Sequence, residues 1–369
     1  MHVIQVISPQ GGPGRHALEI CSGLAKLGID QQTLILADQP DQAFLGSLPS
    51  SVNVRVLSKR QPPVSRLESI FRLFTDASAD VLHVHYPSMA LPLWLRGLGP
   101  KLVCTLHGHP QVMAEPRLWM KIGYLGELLS LKLIAKNIPL VTVSEFTSRN
   151  VRRIVGKPSR VVYPGIDTSV FTPPSNKILA KQKLGFEHQF TVLYVGRLHP
   201  YKDPMTLVRA MAILPREIFR LIIVGDGPIL GQVENGLEKL KINYDRIARL
   251  NVTDLVNYYQ AADVFVLPSK GEAAGIVVIE AMACGLPVIS ANAGGAPELV
   301  GNAGFYFSPG NARDLADKLT LMMGDESMLR NLSQMGRRRA ESEFSNVKMA
   351  STYLEIYHRI LEKNVPDLS

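Results

Sequence analysis

The chain has 369 residues, enough for two domains that each bury a full core. At 46% hydrophobic and 20% charged it has the composition of an ordinary globular protein, and no apolar run reaches the length of a membrane-spanning helix. The net charge of +8 is uneven: residues 1–172 hold 18 Lys and Arg against 11 Asp and Glu, while the remainder is nearly balanced. A basic half favours nucleic acid, anionic lipid or an anionic substrate. No nucleic-acid motif accompanies it, which leaves an anionic membrane surface or a phosphorylated acceptor.

The first residues, Met1-His2-Val3-Ile4-Gln5-Val6-Ile7, lack a basic leader and a cleavage site and read as a buried strand, not a signal peptide. Three scattered cysteines, Cys21, Cys104 and Cys284, with no CxxC spacing, point to reduced thiols in a cytosolic protein. Strands are expected over 3–7, 32–36, 52–56, 80–83, 101–106, 140–143 and 160–163. In the second half they are expected over 191–195, 220–224, 246–249, 264–267 and 287–290, with helical patterns between most of them. Uniformly apolar strands spaced by helices imply parallel sheets covered on both faces. Two such halves imply two Rossmann-like, doubly wound α/β domains, with ligands at the carboxyl ends of the strands, in the cleft between them. The turn-rich run from Tyr163-Pro164-Gly165 to Pro173-Pro174 separates domains over 1–172 and 173–345. Residues 346–363 form a long helical pattern with no strand after it.

Gly11, Gly12 and Gly14 follow the first strand and precede a helix, where small residues let a backbone approach a phosphate or sugar. From Gly12 to Ala17 the run fits a relaxed dinucleotide fingerprint, with Asp38 near the ribose position, so a nicotinamide-dependent enzyme also fits this stretch. That reading leaves the cations and carboxylates of the second half unused. In Leu82-His83-Val84-His85, His83 reads as core packing and His85 as lining the acceptor side. His107, at a strand end in Leu106-His107-Gly108, suits either a half-buried histidine bonded to backbone or an imidazole that orients a sugar hydroxyl. The pairs His83 with His85 and His107 with His109 have no evident carboxylate or Cys partner, and no Asp-x-Asp pair sits at a strand end, so no metal is expected. Residues 117–136 read as one mostly apolar helix with Trp119 and Tyr124, on which Arg117, Lys121, Lys132 and Lys136 share an arc of roughly 100°. This fits an internal helix with a solvated face, or an interfacial helix at a membrane.

In Val195-Gly196-Arg197-Leu198-His199-Pro200-Tyr201-Lys202, two cations lie in the loop at a strand's carboxyl end. Fixed there, Arg197 and Lys202 can neutralise a diphosphate leaving group without a metal. Ile223-Val224-Gly225-Asp226-Gly227-Pro228 is a strand-to-helix turn that its glycines shape. Further on, Glu272 and Glu280 bracket a small-residue loop, Ala273-Ala274-Gly275, that runs into an apolar helix. Free amides of Ala274, Gly275 and Ile276 at a helix start favour an anion, whereas two carboxylates repel one. A ligand with both phosphates and hydroxyls resolves the conflict. The amides take phosphate and the carboxylates accept from sugar hydroxyls, as a nucleotide-sugar requires.

Glu272, seven residues, Glu280 and then Ala281-Met282-Ala283-Cys284-Gly285-Leu286-Pro287 resemble the retaining glycosyltransferases of family 4 (glycosyl transferases group 1), which have the GT-B fold. The resemblance implies an acceptor-binding domain over 1–172 and a nucleotide-sugar-binding domain over 173–345, facing each other across a cleft. It also implies a helix within 346–369 that crosses back to pack on the first domain. The implied activity is transfer of a hexose-type sugar, with retention, from a nucleotide-sugar to a hydroxyl on a glycan or lipid-linked acceptor. Arg197 and Lys202 would contact the donor diphosphate, Gly12 the donor, His107 and Glu272 the donor sugar, Glu280 the ribose diol, and backbone near Leu250 the base. No cofactor is implied, because the nucleotide-sugar is a substrate. The product would be a surface polysaccharide such as lipopolysaccharide, or a glycolipid, made in the cytoplasm with the enzyme visiting the inner face of the membrane. Ala274, where many members carry a bulkier residue, and Pro164-Gly165-Ile166-Asp167, in place of a Pro-Asn-Gly segment, depart from the family pattern and bear on which sugar fits. Two other readings remain: a nucleotide-sugar epimerase of related fold, and an inactive nucleotide-sugar-binding scaffold, against which Arg197, Lys202, Glu272 and Glu280 argue.

Overall fold

The computed structural model describes residues 1–8, 11–38, 42–58, 63–76, 79–108 and 118–362. They fall into two compact units, Met1–Gly165 with Asn346–Ser369, and Ile166–Ser345.

Unit 1 contains β1 (His2–Ile7), β2 (Asp30–Leu36), β3 (Asn53–Leu57), β4 (Val81–Val84), β5 (Leu102–Leu106), β6 (Leu140–Thr142) and β7 (Arg160–Val161). Its helices are α1 (Gly11–Lys26), α2 (Gln42–Gly46), α3 (Pro63–Asp76), α4 (Pro87–Leu93), α5 (Leu118–Ile134) and α6 (Glu145–Val155). The sheet runs β3-β2-β1-β4-β5-β6-β7, all parallel. Alternate residues of each strand go to opposite layers. Ile4, Val6, Leu82 and Val84 pack toward α3, α4 and α5, while Val3, Val81, Val103 and Val141 pack on the other side.

Unit 2 contains β8 (Phe190–Val195), β9 (Phe219–Val224), β10 (Tyr244–Ile247), β11 (Val264–Leu267), β12 (Val288–Ala291) and β13 (Gly304–Phe307). Its helices are α7 (Lys177–Leu184), α8 (Pro204–Met211), α9 (Leu230–Lys239), α10 (Val252–Ala261), α11 (Ile276–Ala283), α12 (Ala296–Val300), α13 (Ala312–Met323) and α14 (Glu326–Glu343). The order β10-β9-β8-β11-β12-β13 is again wholly parallel. Side-chain caps fix several helix starts: Asn251 accepts from the amide of Asp254 at 2.9 Å, and Ser144 of unit 1 from that of Thr147 at 3.0 Å.

The last helix, α15 (Asn346–Leu361), belongs to unit 1. It buries Met349, Ala350, Tyr353, Ile356, Tyr357 and Ile360 against Ile20 and Leu24 of α1 and the sheet residues Val3, Val81 and Val103. Gly23 permits the close approach, since a Cβ there would lie 2.3 Å from the carbonyl oxygen of Asn346. Asn346 Nδ2 also donates to Glu19 at 3.0 Å.

Three local features differ from the sequence-based expectation. Gly11, Gly12 and Gly14 lie inside the first turn of α1, not in a turn before it. Strand β10 lies two residues earlier than the predicted 246–249. Strand β13 has no counterpart among the predicted strands, because it begins with Gly304 and three of its four residues are only partly buried. There Gly304 is required: a Cβ would come within 2.5 Å of the carbonyl oxygen of Val288 on the neighbouring strand.

Candidate functional site

In each sheet the strand order reverses once, between β1 and β4 in unit 1 and between β8 and β11 in unit 2. At such a reversal the following loops diverge to opposite faces and leave a crevice at the strand carboxyl ends. The residues singled out from the sequence cluster at these two places.

In unit 2, Arg197 and Lys202 lie in the segment after β8, and Glu272 lies in the loop after β11. Lys202 Nζ donates to Glu272 Oε2, with the two side chains only 12% and 15% exposed. Arg197 is exposed and makes no ion pair among the described residues. The loop that carries it is held by Tyr194, whose hydroxyl donates to the Arg197 carbonyl at 3.0 Å, and by the Leu198 amide, which donates to the Asp226 backbone carbonyl at 2.9 Å. Gly225 and Gly227 make this interlock feasible: a Cβ would stand 2.0 Å from the carbonyl oxygen of Gly196 or 2.2 Å from that of Leu198. The loops after β8 and β11 are themselves tied. The Lys270 amide donates to the Tyr201 carbonyl at 2.9 Å, and its ammonium pairs with Asp203 at 3.0 Å.

Glu272 is further placed by a segment the sequence reading passed over. The Gly295 amide donates to the Glu272 carbonyl at 2.8 Å. Gly294 has φ 71°, and a Cβ on it would lie 2.4 Å from that same oxygen. The only local signal was a Gly-Gly pair after an apolar strand. Gly275, with φ 94°, caps α11, so the first amides of that helix have no acceptor within it. Ala274 is buried just before it.

Glu280 lies on α11 and is 4% exposed. Its Oε2 accepts from the Tyr259 hydroxyl at 2.9 Å. Tyr259 belongs to α10, which begins directly after the loop that holds Leu250. The two carboxylates are thus chemically distinct, one beside a cation and the other beside a neutral hydroxyl.

In unit 1 the strand ends carry a histidine cluster. His107, half-buried after β5, has Nε2 2.8 Å from Nδ1 of His85, which follows β4. His85 is buried and stacks between His107 and His83, so it does not line an open surface as expected. His83 is in the core, as anticipated, but both ring nitrogens are used: Nδ1 with the Tyr357 hydroxyl at 2.8 Å and Nε2 with Thr105 Oγ1 at 2.7 Å. Thr105 Oγ1 lies 3.0 Å from the Tyr353 hydroxyl, which is 3.2 Å from His16 Nε2. The His16 ring meets His107 edge-on at 5.0 Å. Burial pushes the His16 imidazole down to about 3 and holds His83, His85 and His107 well below the ordinary histidine range, so all four rings are neutral near pH 7. His16 Nδ1 and His85 Nε2 are buried without a partner. Gly12, in the first turn of α1, would meet nothing within 4 Å if it carried a Cβ. His109 and Arg117 lie outside the described residues, as do the side chains of Trp119 and Lys121. Among the described residues, no group of three or more His, Cys, Asp or Glu is arranged to hold a metal ion.

Three comparisons with known proteins identify relatives of this chain. The family model for Glycosyltransferase Family 4 matches residues 10–170, and that for Glycosyl transferases group 1 matches residues 176–339. A D-inositol 3-phosphate glycosyltransferase from Acidothermus cellulolyticus is 32% identical over 325 residues, covering 74% of this chain and 68% of that protein. An N-acetyl-alpha-D-glucosaminyl L-malate synthase from Bacillus anthracis is 29% identical over 298 residues, covering 76% and 75%. Among solved structures, HepE from Anabaena in complex with UDP and glucose matches at a TM-score of 0.81 and 21% identity, over 97% of this chain and 99% of that one. Two parallel, doubly wound sheets and this match define the GT-B fold, and the chain belongs to the family 4 (group 1) glycosyltransferases.

Proposed function

We propose that this chain is a retaining, metal-independent glycosyltransferase that moves a hexose-type sugar from a nucleotide-sugar to a hydroxyl acceptor. The observation that carries the proposal is the Lys202–Glu272 ion pair at the sheet reversal of unit 2. A cation beside a carboxylate suits the junction of a sugar with a diphosphate. When the donor binds, Lys202 turns to the phosphate oxygens and Glu272 accepts from sugar hydroxyls. Arg197, exposed in the same loop, adds the second positive charge. The α11 amides of Ala274, Gly275 and Ile276 take phosphate, Glu280 accepts from the ribose diol, and backbone around Leu250 meets the base. The family resemblance adds Gly12 and His107 as donor contacts and gives acceptor binding to unit 1.

In the transfer, the bond from the anomeric carbon to the diphosphate oxygen breaks while the acceptor oxygen bonds to that carbon on the same face. The acceptor proton passes to the departing phosphate oxygen. Glu272, partnered by Lys202, serves as a hydrogen-bond acceptor and not as a covalent nucleophile. A uridine-diphosphate sugar is the first donor to test, because HepE was solved with UDP. Two relatives are named for an inositol phosphate and for malate, both anions, and an anionic hydroxyl acceptor complements the basic first half of this chain. The product belongs to surface polysaccharide or glycolipid synthesis, made in the cytoplasm at the inner membrane face. A nucleotide-sugar panel tests this: a matching donor raises the melting temperature and is consumed only when acceptor is added. Failure of every nucleotide-sugar to stabilise the chain rejects the proposal, and consumption without acceptor indicates an epimerase.

A further inference from the structure

Two histidines stand side by side at the carboxyl end of the unit 1 sheet. Strands β4 and β5 are parallel neighbours, and His85 and His107 are the first residues beyond them. The two rings stack with centroids 5.1 Å apart and 20° from parallel, and His85 Nδ1 lies 2.8 Å from His107 Nε2. One imidazole must donate this bond and the other accept it. Both rings are held in place. His83, two residues earlier and on the same side of the sheet, stacks on His85 at 4.4 Å and 24°. His83 is pinned through both nitrogens, by the Tyr357 hydroxyl and by Thr105. The buried His16 ring meets His107 edge-on at 5.0 Å.

The direction of the bond follows from the two outer nitrogens. His85 Nε2 is buried and has no hydrogen-bond partner among the described residues. His107 is half-buried, and its Nδ1 makes no hydrogen bond among the described residues. Burial disfavours the imidazolium, so each ring carries one proton. If His107 donated, the His85 proton would sit on Nε2, a buried N–H with no acceptor. If His85 donates, only a lone pair is left buried, and the outer proton sits on His107 Nδ1, the less enclosed position. An orphaned buried N–H is costly, and the second arrangement avoids it.

We propose that His85 is a positioning residue that locks His107 in the Nδ1–H form, a hydrogen-bond donor with no lone pair left to take a proton. His107 then binds an oxygen lone pair of its ligand, from a hydroxyl or a carboxylate, and refuses an ammonium. It orients that oxygen and does not act as a base, which leaves the acceptor proton to the departing phosphate oxygen. What His107 touches rests on the sugar-transfer reading; the form of its ring does not.

The full chain, carrying isotope-labelled histidine nitrogens, is examined without ligand near neutral pH by long-range proton–nitrogen NMR. This measurement separates a protonated ring nitrogen from a bare one, and His107→Gln identifies the His107 signals. Wild type should show His107 protonated on Nδ1 and bare on Nε2. His85→Asn keeps an N–H donor near the place of Nδ1 and should preserve that form. His85→Phe keeps a stacked ring without the donor and should send His107 to the Nε2–H form that a free imidazole side chain prefers. With a nucleotide-sugar that the chain consumes, His85→Phe should lower kcat about tenfold, and His85→Asn should recover most of the loss. A bare Nδ1 on wild-type His107, or an unchanged form in folded His85→Phe, overturns the proposal. So does full turnover by a His85→Phe protein whose His107 has changed form. Should His85→Phe fail to fold, the wild-type spectrum still decides. If His107 has the expected form and no nucleotide-sugar is consumed, the sugar-transfer reading fails while the assignment of the ring stands.

Discussion

Lys202 and Glu272, 70 residues apart, form an ion pair where the segment after β8 meets the loop after β11. Both side chains are largely shielded from water, so each answers the other's charge. In the proposed donor site this pairing would join a phosphate-binding cation and a hydroxyl-binding carboxylate in one unit. The rest of unit 2 supports it through Lys270, Asp203, Gly294 and Gly295.

Arg197→Ala and Lys202→Ala should each lower turnover about 10²-fold or more, on the order of 3 kcal/mol of transition-state stabilisation. Their effects on stability should differ. Lys202→Ala leaves Glu272 as a poorly solvated carboxylate without its cation and should lower the melting temperature. Arg197 is exposed, so its removal should leave stability unchanged. Steady-state kinetics with calorimetry separates the two, and near-normal turnover in both variants rejects the diphosphate role.

Tyr259→Phe removes the hydroxyl that donates to Glu280 and little else. A buried carboxylate that loses a donor costs about 1–3 kcal/mol. Urea denaturation should register that loss, and titration with UDP should show weaker binding, because Glu280 is then less firmly oriented. Unchanged UDP affinity in a folded Tyr259→Phe protein would separate Glu280 from nucleotide recognition.

Two glycines should fail in opposite ways. Gly294→Ala forces a side chain onto a left-handed residue and against the Glu272 backbone, so stability should fall by roughly 1–3 kcal/mol and donor binding with it. Gly12→Ala meets no neighbour and lies in a helical turn, so it should stabilise by about 0.5–1 kcal/mol. If the donor approaches that open space, Gly12→Ala will still lose turnover. Melting curves and kinetics on the same samples distinguish these outcomes.

Acid should destabilise the histidine cluster of unit 1. The His16 imidazole has its ordinary value of 6.5 in the unfolded chain and about 3 when folded. The unfolded state therefore binds the proton first, so the stabilisation is complete above pH 6.5 and is lost as pH falls toward 3. The slope is about 1.4 kcal/mol per pH unit for each such histidine. His83, His85 and His107 are displaced in the same direction and steepen it. Melting temperature measured from pH 7.5 down to 4 should fall, and His16→Gln should flatten the curve by about one proton's worth. Parallel profiles for wild type and His16→Gln would mean that His16 is already protonated in the folded state.

The chain's local chemistry was enough to specify an α/β protein with parallel sheets and to locate the carboxyl ends of β8 and β11. Buried parallel strands announce themselves as short apolar runs, and the glycines and charges that follow them mark loops. Where that signal weakens it misleads: the half-exposed, glycine-led β13 has no apolar run to mark it, and β10 begins two residues before the run that the sequence suggests. Contacts between distant residues had no local signature. Nothing near His16 foretells that its ring meets Tyr353, 337 residues later, and nothing in Leu82-His83-Val84-His85 foretells that His85 is buried against His107. The apolar period of α5 was visible, but its burial on one side and exposure on the other depends on what unit 1 packs against it. Local pattern determines which backbone groups pair and which side chains avoid water. Which side chains then meet, and which charges neutralise one another, was decided only when the sheets ordered their strands and brought remote loop ends together.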